Sequence, residues 1–385
     1  MSIRFYKNEV SQAFFIIFAM YFGYYMGFVH DLMMHYQNFI LCFDGTSWSD
    51  IVKDPRVYVL GSDYYHITLK YILSRFTLSR QVFGAVVSGV YATAFIFFFR
   101  QFKEFYMQRV PFYCTVILLC VVTVVEFYWY QGFRFWTGVY VFAGFYLKYV
   151  NTSKTRYAFC TAFCLFFHYT LITLIGALLL NRVLDFLGKY ARLILLLISL
   201  YFRTLKLDFV PLLLKYLPGA DALEISITDT RIRTNWLDRL EDCRQNGNIV
   251  YDNKLMFFAT VGILLLLIMR MLGVSIDKKY RPLLCFALTL FTAANFGYVD
   301  LIFYSRFFEA SILILFSYLY IVSVKNSPKL ASKSYLIIIL GCMTFLYGIA
   351  SPMGQVREYI MQPELIFGNF FMNWDGNALH INYDW

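Results

Sequence analysis

Residues 126–170 read EFYWYQGFRFWTGVYVFAGFYLKYVNTSKTRYAFCTAFCLFFHYT, and this stretch decides the fold. Its pattern predicts the end of one membrane helix, an aromatic turn carrying Arg134, a second helix, a basic turn, and a third helix with His168 inside it. A guanidinium at a membrane surface and an imidazole within a span are both costly in lipid, so such side chains normally face a polar cavity or a partner. We therefore expect the rest of the chain to build that cavity.

The composition indicates a membrane protein. The chain has 385 residues, of which 60% are hydrophobic and only 15% charged, whereas a soluble domain is about half apolar and a quarter charged. Apolar runs recur at about 17–25 residues, the length that crosses a bilayer as a helix. The alternating pattern of a transmembrane barrel is absent, and lipid demands internally satisfied backbone groups. We predict one all-α, polytopic membrane domain over residues 1–385, with about 10–12 transmembrane helices.

The basic residues follow the loops rather than forming a nucleic-acid-binding stripe. The net charge is +10, and alternate loops hold 15 of the 34 bases against three acids, Glu9, Glu104 and Asp277. The positive-inside rule assigns these loops to the cytoplasm. These bases are Arg4, Lys7, Arg100, Lys103, Arg109, Lys148, Lys154, Arg156, Arg270, Lys278, Lys279, Arg281, Lys325, Lys329 and Lys333. We expect no nucleic acid partner. The eight cysteines form no CxxC pair, so we expect no metal and no cofactor.

The predicted spans are residues 11–29, 81–99, 110–129, 135–150, 157–180, 255–271, 282–294, 297–322 and 335–350. Three segments then lie outside: an amphipathic segment (30–80), a loop with a short amphipathic helix (206–253) and the C-terminal tail (351–385). Between residues 181 and 253 an even number of crossings is required. Either residues 193–202 and 209–217 are two short spans with Arg203 and Lys206 turning on the inside, or they form a re-entrant pair.

Arg134 and Arg306 are the candidate phosphate-binding residues. The planar fork of donors in arginine suits phosphate oxygens, and two arginines from distant helices would neutralise the charge of a diphosphate leaving group without a metal. The alternatives are structural. Arg134 can instead be an interfacial anchor, and Arg306 can instead pair with Asp300 or Glu309.

Three residues are candidates for catalysis. His168 can act as a base toward an acceptor hydroxyl or hold a phosphate oxygen, or it can be a hydrogen-bonded core residue. Glu126, near the outer end of a span, is either a general base or the partner of Arg134. Asp31 and His35 are four residues apart in one predicted helix, so they share a face; they either line the cavity or orient that helix.

Further candidates for substrate binding lie on the same outer side. Aromatic rings near the cavity can stack on sugars, and acidic groups can accept from sugar hydroxyls. The candidates are His35, Tyr36, Asp63, Trp136 and Tyr304. Nucleotide sugars are not available outside the cytoplasm, so a transferase there must use a membrane-borne activated donor.

Four motifs carry a resemblance to a known family. GFRFWTGVYVFAGFYLKYV followed by FFHYTLI, the early segment VHDLMMHYQNF, and the late segment YSRFFE together resemble the EpsG-like branch of Wzy-type polysaccharide polymerases. The resemblance covers most of the chain in hydropathy order and about 30 residues in motif.

This resemblance implies a GT-C-like fold and a glycosyltransferase of the bacterial inner membrane, with its active site facing outward. Such an enzyme polymerises O-antigen, capsule or exopolysaccharide repeat units, moving a chain from one undecaprenyl-diphosphate carrier onto the repeat unit of another. By the resemblance, Arg134 and Arg306 hold the donor diphosphate, His168 positions phosphate or acceptor, and Asp31 and His35 line the cavity. A chain-length regulator is a further expected partner. The alternatives are a lipid-linked glycan ligase and, in a different class, a lipid-linked oligosaccharide flippase.

Overall fold

The computed structural model describes residues 9–25, 30–53, 64–106, 110–125, 133–205, 249–274, 277–298 and 301–360. These residues form helices and turns, with no β-strand among them. The α-helices are α1 (Glu9–Tyr25), α2 (His30–Phe43), α3 (Trp48–Lys53), α4 (Tyr64–Ser74), α5 (Arg80–Phe99), α6 (Lys103–Tyr106), α7 (Phe112–Val124), α8 (Phe133–Thr152), α9 (Thr155–Cys160), α10 (Ile172–Leu187), α11 (Lys189–Thr204), α12 (Ile249–Met271), α13 (Arg281–Phe296), α14 (Leu301–Lys325), α15 (Ser327–Leu330) and α16 (Ser334–Ile360). Short 3-10 helices cover Arg100–Phe102, Thr161–Phe166, Tyr169–Leu171 and Ala331–Lys333.

Four helical stretches of the described chain are long and apolar enough to cross a membrane. They are Arg80–Phe102, Tyr169–Leu187, Lys254–Met271 and Phe303–Lys325. Shorter apolar helices accompany them at Phe112–Val124, Arg281–Phe296 and Ser334–Ile349. The predicted helical architecture is therefore confirmed for the described residues, with four helices that are long and apolar enough to cross a membrane.

Helix α14 is the central element of the bundle. Nearly all of its residues are buried, and it packs against α7, α12 and α13. Helix α5 lies between α1 and α8, and α13 also packs against α10 and α11. Because α14 is enclosed in this way, Arg306 in its second turn is held among neighbouring helices rather than on the outside of the bundle.

Most of the described basic turns meet at one end of the bundle, which we call the basic end. The hydrogen bonds and ion pair that join them are Lys325 Nζ to Asp277 Oδ2 at 3.0 Å, Tyr113 Oη to the Ser327 carbonyl at 2.8 Å, Tyr146 Oη to the Pro282 carbonyl at 3.0 Å, and Asn151 Nδ2 to the Gln101 carbonyl at 3.0 Å. The first turns of α8 and α14 lie at the opposite end, which we call the site end. The basic loops that the positive-inside rule assigns to one side of the membrane are thus also close together in the folded structure.

The structure differs from the predicted single span over residues 157–180. The chain leaves the basic end at α9, breaks at Phe167 and His168, and returns as α10, whose Arg182 hydrogen-bonds to Tyr149 near the C-terminal end of α8. His168 has extended backbone angles (φ −156°, ψ 127°). The prediction that His168 lies inside a helix is therefore wrong.

Helix α11 also differs from the prediction for residues 193–217. It is one helix of 16 residues that begins after Gly188 and ends at the site end, where the Arg203 guanidinium lies 4.9 Å from the ring centroid of Tyr298 and 5.1 Å from that of Tyr304. Arg203 is thus far from the basic end, where a turn at Arg203 and Lys206 would have placed it. Residues 206–248, including the second predicted span, lie outside the described residues.

Candidate functional site

Phe133, the first residue of α8, packs against helices α2 and α4 at the site end. It is fully buried, and its ring meets His35 of α2 at 5.6 Å and Tyr65 of α4 at 5.7 Å between centroids. It also contacts Phe83 of α5 at 6.3 Å. Edge-on aromatic contacts of this kind stabilise packing beyond the buried area. The contacts among α2, α4, α5 and α8 therefore fix the start of α8, from which the Arg134 side chain extends.

The Phe135 side chain contacts the other two parts of the chain that carry candidate residues, α14 with Arg306 and the helix break at His168. Its ring is buried and lies edge-on to His168, with 5.9 Å between centroids. The Arg306 guanidinium carbon is 5.1 Å from the centroid of the same ring, within cation–π distance. Phe307 packs edge-on against it at 5.5 Å. One aromatic side chain thus brings α14 and the break at residue 168 to the start of α8.

His168 is held by its own backbone turn. Its Nδ1 accepts a hydrogen bond from the Thr170 amide at 3.2 Å and lies 2.9 Å from the Thr170 hydroxyl. Because Nδ1 accepts the amide hydrogen, the ring proton of the neutral imidazole is on Nε2. The guanidinium groups of Arg134 and Arg306 both lie within electrostatic range of this ring. In this arrangement His168 is a hydrogen-bond donor beside two cations.

Gly138 explains how the break can lie so close to α8. A Cβ atom at this position would lie 3.0 Å from Cβ of Phe167 and would also clash with Leu171. Small residues are what allow close approach of helices in lipid. The absence of a side chain at Gly138 therefore lets residues 164–171 pack directly on α8, which sets the position of His168.

A second group of polar side chains lies beside Arg134, on α2 and α4. His35 and His66 are 5.2 Å apart between ring centroids. Lys70, which is fully buried, donates to Asn38 Oδ1 at 2.9 Å and lies 3.5 Å from His35 Nδ1. Burial is the main factor that lowers the pKa of His35 well below its usual value, and the charges of Arg134, Lys70, His66 and His168 add to this.

The structure thus brings together four of the predicted residues: Arg134, Arg306, His168 and His35. Trp136 is buried and supports Phe135 from the side, with 5.1 Å between ring centroids. It therefore belongs to the packing around the group. Glu309, one turn beyond Arg306, is fully buried and lies within electrostatic range of Tyr140 on α8.

Two residues predicted to bind substrate, Tyr36 and Tyr304, also contact other parts of the protein. The Tyr36 hydroxyl donates to the Leu78 carbonyl at 3.1 Å, which ties α2 to the turn before α5. Tyr304 is buried against Tyr298, at 4.9 Å between centroids, and against Arg203. The observed contacts of both tyrosines are with the protein. Glu126 and Asp63 lie outside the described residues, and Asp31 lies in α2 with its side chain outside the described part.

Sequence analysis missed His66, Lys70 and Tyr65, because it interpreted their segment as an amphipathic helix lying in the membrane interface. A signal was present. His66 and Lys70 are four residues apart, so they share one face of a helix, and Leu69 and Leu73 lie on the same face. Ionisable residues on the apolar side of a helix indicate a buried polar group.

The chemistry of this group suits an anion with several oxygen atoms. Two guanidinium groups, a lysine and three imidazoles lie close to buried aromatic rings. Charged donors form the strongest hydrogen bonds to phosphate or carboxylate. Among the residues that the structure describes, no set of three or more His, Cys, Asp or Glu side chains is placed to hold a metal ion.

Comparisons with protein-family models, with curated proteins and with solved structures find no match to this chain. The site must therefore be interpreted from its own geometry and from the motifs quoted above.

Proposed function

We propose that this chain is a metal-independent glycosyltransferase of GT-C type that polymerises lipid-linked repeat units. Its donor and acceptor are oligosaccharides on undecaprenyl diphosphate, and its products are O-antigen, capsule or exopolysaccharide chains. The observation that carries the proposal is the convergence of Arg134, Arg306 and His168 around Phe135. These residues are up to 172 positions apart in sequence (134 to 306), and the gathering of such costly polar groups at one place supports a shared site.

The two arginines have the chemistry that a lipid diphosphate needs. When the bond between the sugar and the diphosphate breaks, negative charge grows on the phosphate oxygens. Fixed positive groups stabilise this charge more in the transition state than in the ground state, which is what accelerates a reaction. His168 adds a neutral donor, because its Nε2 carries the proton.

The proposed reaction exchanges one bond at the anomeric carbon for another. A hydroxyl oxygen of the acceptor repeat unit attacks the anomeric carbon of the donor chain, and the bond from that carbon to the diphosphate oxygen breaks. Undecaprenyl diphosphate leaves with the electron pair, and the acceptor proton passes to a base. With its Nδ1 engaged by Thr170, His168 is better suited to hold phosphate than to be this base, so Glu126 and Asp31 are the proposed bases.

The location that we propose is the bacterial inner membrane, with about 10–12 spans and the site facing outward. The grouping of basic turns at the end opposite the site supports this orientation, because basic loops stay in the cytoplasm. The carrier lipid reaches such a site from within the bilayer. A chain-length regulator is the proposed protein partner.

Deletion of the gene and complementation with variants test this function. Arg134→Ala, Arg306→Ala and His168→Ala should each replace the ladder of surface glycan on a gel with a single-repeat band, which only the wild type restores. The matched control is Arg182→Ala, because Arg182 hydrogen-bonds to Tyr149 at the basic end and should support a full ladder if the protein is present at normal level.

Other outcomes of the same gel would refute polymerisation. A polymer that forms but stays on its lipid carrier would indicate a ligase. The loss of every externally oriented repeat unit, including single ones, would indicate a flippase. Full ladders from all three variants would indicate that Arg134, Arg306 and His168 have only structural roles.

A further inference from the structure

Tyr65 carries a buried hydroxyl group that the fold does not use. The residue lies in α4 and is only 6% exposed. Within the described part of the chain, its hydroxyl oxygen is fully buried and makes no hydrogen bond. Buried polar groups in folded proteins nearly always have a partner, and each exception requires an explanation. A phenylalanine would fill the same space without leaving a hydroxyl unpaired.

The ring of Tyr65 lies across the two chain segments that build the candidate site. Its centroid is 5.7 Å from that of Phe133 and 4.9 Å from that of Phe167. Phe133 directly precedes Arg134, and Phe167 directly precedes His168. The ring of the next residue of α4, His66, lies 5.2 Å from the ring of His35 between centroids. The Tyr65 ring therefore packs on the residues that directly precede Arg134 and His168.

The hydroxyl is a donor under all physiological conditions. Burial raises the pKa of Tyr65 above its usual value, so the phenol keeps its proton. A protonated phenol can only add a donor to a set of guanidinium and imidazole groups that already favours anionic oxygen atoms.

We propose that Tyr65 donates a hydrogen bond to an anionic oxygen of the diphosphate headgroup that Arg134, Arg306 and His168 hold. This inference rests on the proposed function and adds α4 to the site. Helix α4 then contributes a donor to the headgroup site, and the headgroup supplies the hydrogen-bond partner that the Tyr65 hydroxyl does not have among the described residues.

A binding titration tests the proposal. The purified full chain in nanodiscs is titrated with undecaprenyl diphosphate, and thermal unfolding is recorded without and with the lipid. Tyr65→Phe should unfold at the same temperature as the wild type or higher without lipid, since no hydrogen bond of the fold is lost. Its affinity for the lipid should fall roughly 10- to 100-fold, the effect of losing one hydrogen bond to a charged group.

The matched control is Tyr113→Phe. The Tyr113 hydroxyl donates to the Ser327 carbonyl at 2.8 Å at the basic end, so this variant should unfold at a lower temperature and bind the lipid as the wild type does. A second titration with inorganic diphosphate distinguishes binding of the headgroup from binding of the lipid tail. Tyr65→Phe should weaken both ligands by a similar factor.

Three results would overturn the proposal, and they are distinguishable. If Arg134→Gln loses affinity while Tyr65→Phe keeps it, Tyr65 has no contact with the headgroup, and the proposed function survives. Weaker binding of the lipid but not of inorganic diphosphate would place the contact on the tail. If the wild type binds neither ligand, the proposed function fails together with this inference.

Discussion

Replacing Phe135 with leucine should disconnect the parts of the site without removing any of its charged groups. The ring contacts Arg306, His168, Phe307 and Trp136. Leucine is also apolar and nearly fills the space, so α8 should still fold and pack. What the variant lacks is a flat ring face for the guanidinium and a ring edge for the imidazole.

The magnitude follows from these contacts. A cation–π contact is worth about 0.5–2 kcal/mol depending on desolvation, and an aromatic pair about 0.5–1.5 kcal/mol beyond buried area. Phe135 makes one cation–π contact and three aromatic contacts, but a leucine side chain would keep most of the van der Waals contacts. We expect Phe135→Leu to lower the free energy of unfolding by about 1–2 kcal/mol and to weaken headgroup binding about 10-fold, as expected for about 1.4 kcal/mol.

The assay is chemical unfolding in detergent together with titration of undecaprenyl diphosphate in nanodiscs. The matched control is Phe142→Leu, seven residues along the same helix. Phe142 is equally buried and packs on Tyr146 and Phe286 at 6.0 and 5.6 Å. It should lose similar stability and keep the wild-type affinity. Equal affinities for the two variants would refute the positioning role of Phe135.

Two further predictions concern the surroundings of the site. His35 should make the stability of the fold depend on pH. Its pKa in the folded chain lies below the usual value because of burial first and then because of the charges of Arg134, Lys70, His66 and His168. The unfolded chain therefore takes up the proton before the folded chain does, as pH falls below ~6.5. The free energy of unfolding should decrease from pH 7 to pH 5 by up to about 1.4 kcal/mol per pH unit; His35→Asn should flatten this profile in denaturant titrations, and an unchanged slope would contradict the assignment. Gly138→Ala should push residues 167–171 off α8, with a loss of about 1–3 kcal/mol in unfolding free energy and weaker headgroup binding. Its control, Gly176→Ala, meets no atom within 4 Å and should be neutral or slightly stabilising in the same two assays, so equal losses at both glycines would contradict the packing argument.

The helices were largely predictable from hydropathy because lipid demands long apolar runs. The predicted spans 81–99, 135–150 and 282–294 correspond to α5 (80–99), α8 (133–152) and α13 (281–296). Their ends shift by only a few residues, since short polar turns mark them in the sequence.

The break at His168 was not predictable from local sequence. The segment FCTAFCLFFHYTLI is mostly apolar, and an apolar run alone does not distinguish one helix from two shorter ones. What permits the break is Gly138 on a different helix, which is a tertiary effect. The same holds for α11, where the turn at Gly188 and the contact of Arg203 with Tyr298 and Tyr304 decide its direction.

The candidate site was only partly predictable. Arg134, His168 and Arg306 stand out because charge is rare in apolar sequence. Lys70 and His66 stand out less, because the segment around them is amphipathic and polar residues are expected there. The role of Phe135 is also invisible in the sequence, since one phenylalanine among 42 carries no local signal.

The measurement that tests the central claim most directly is transfer by the purified chain. The full-length protein in nanodiscs is given a single repeat unit linked to undecaprenyl diphosphate, and polymer and released carrier are followed together on a gel and by chromatography. The account predicts that the wild type and Arg182→Gln form polymer with one carrier released per bond, and that Arg134→Gln and Arg306→Gln form none while unfolding at temperatures close to that of the wild type. Polymer from both arginine variants at the wild-type rate would contradict the claim that these two residues hold the donor diphosphate.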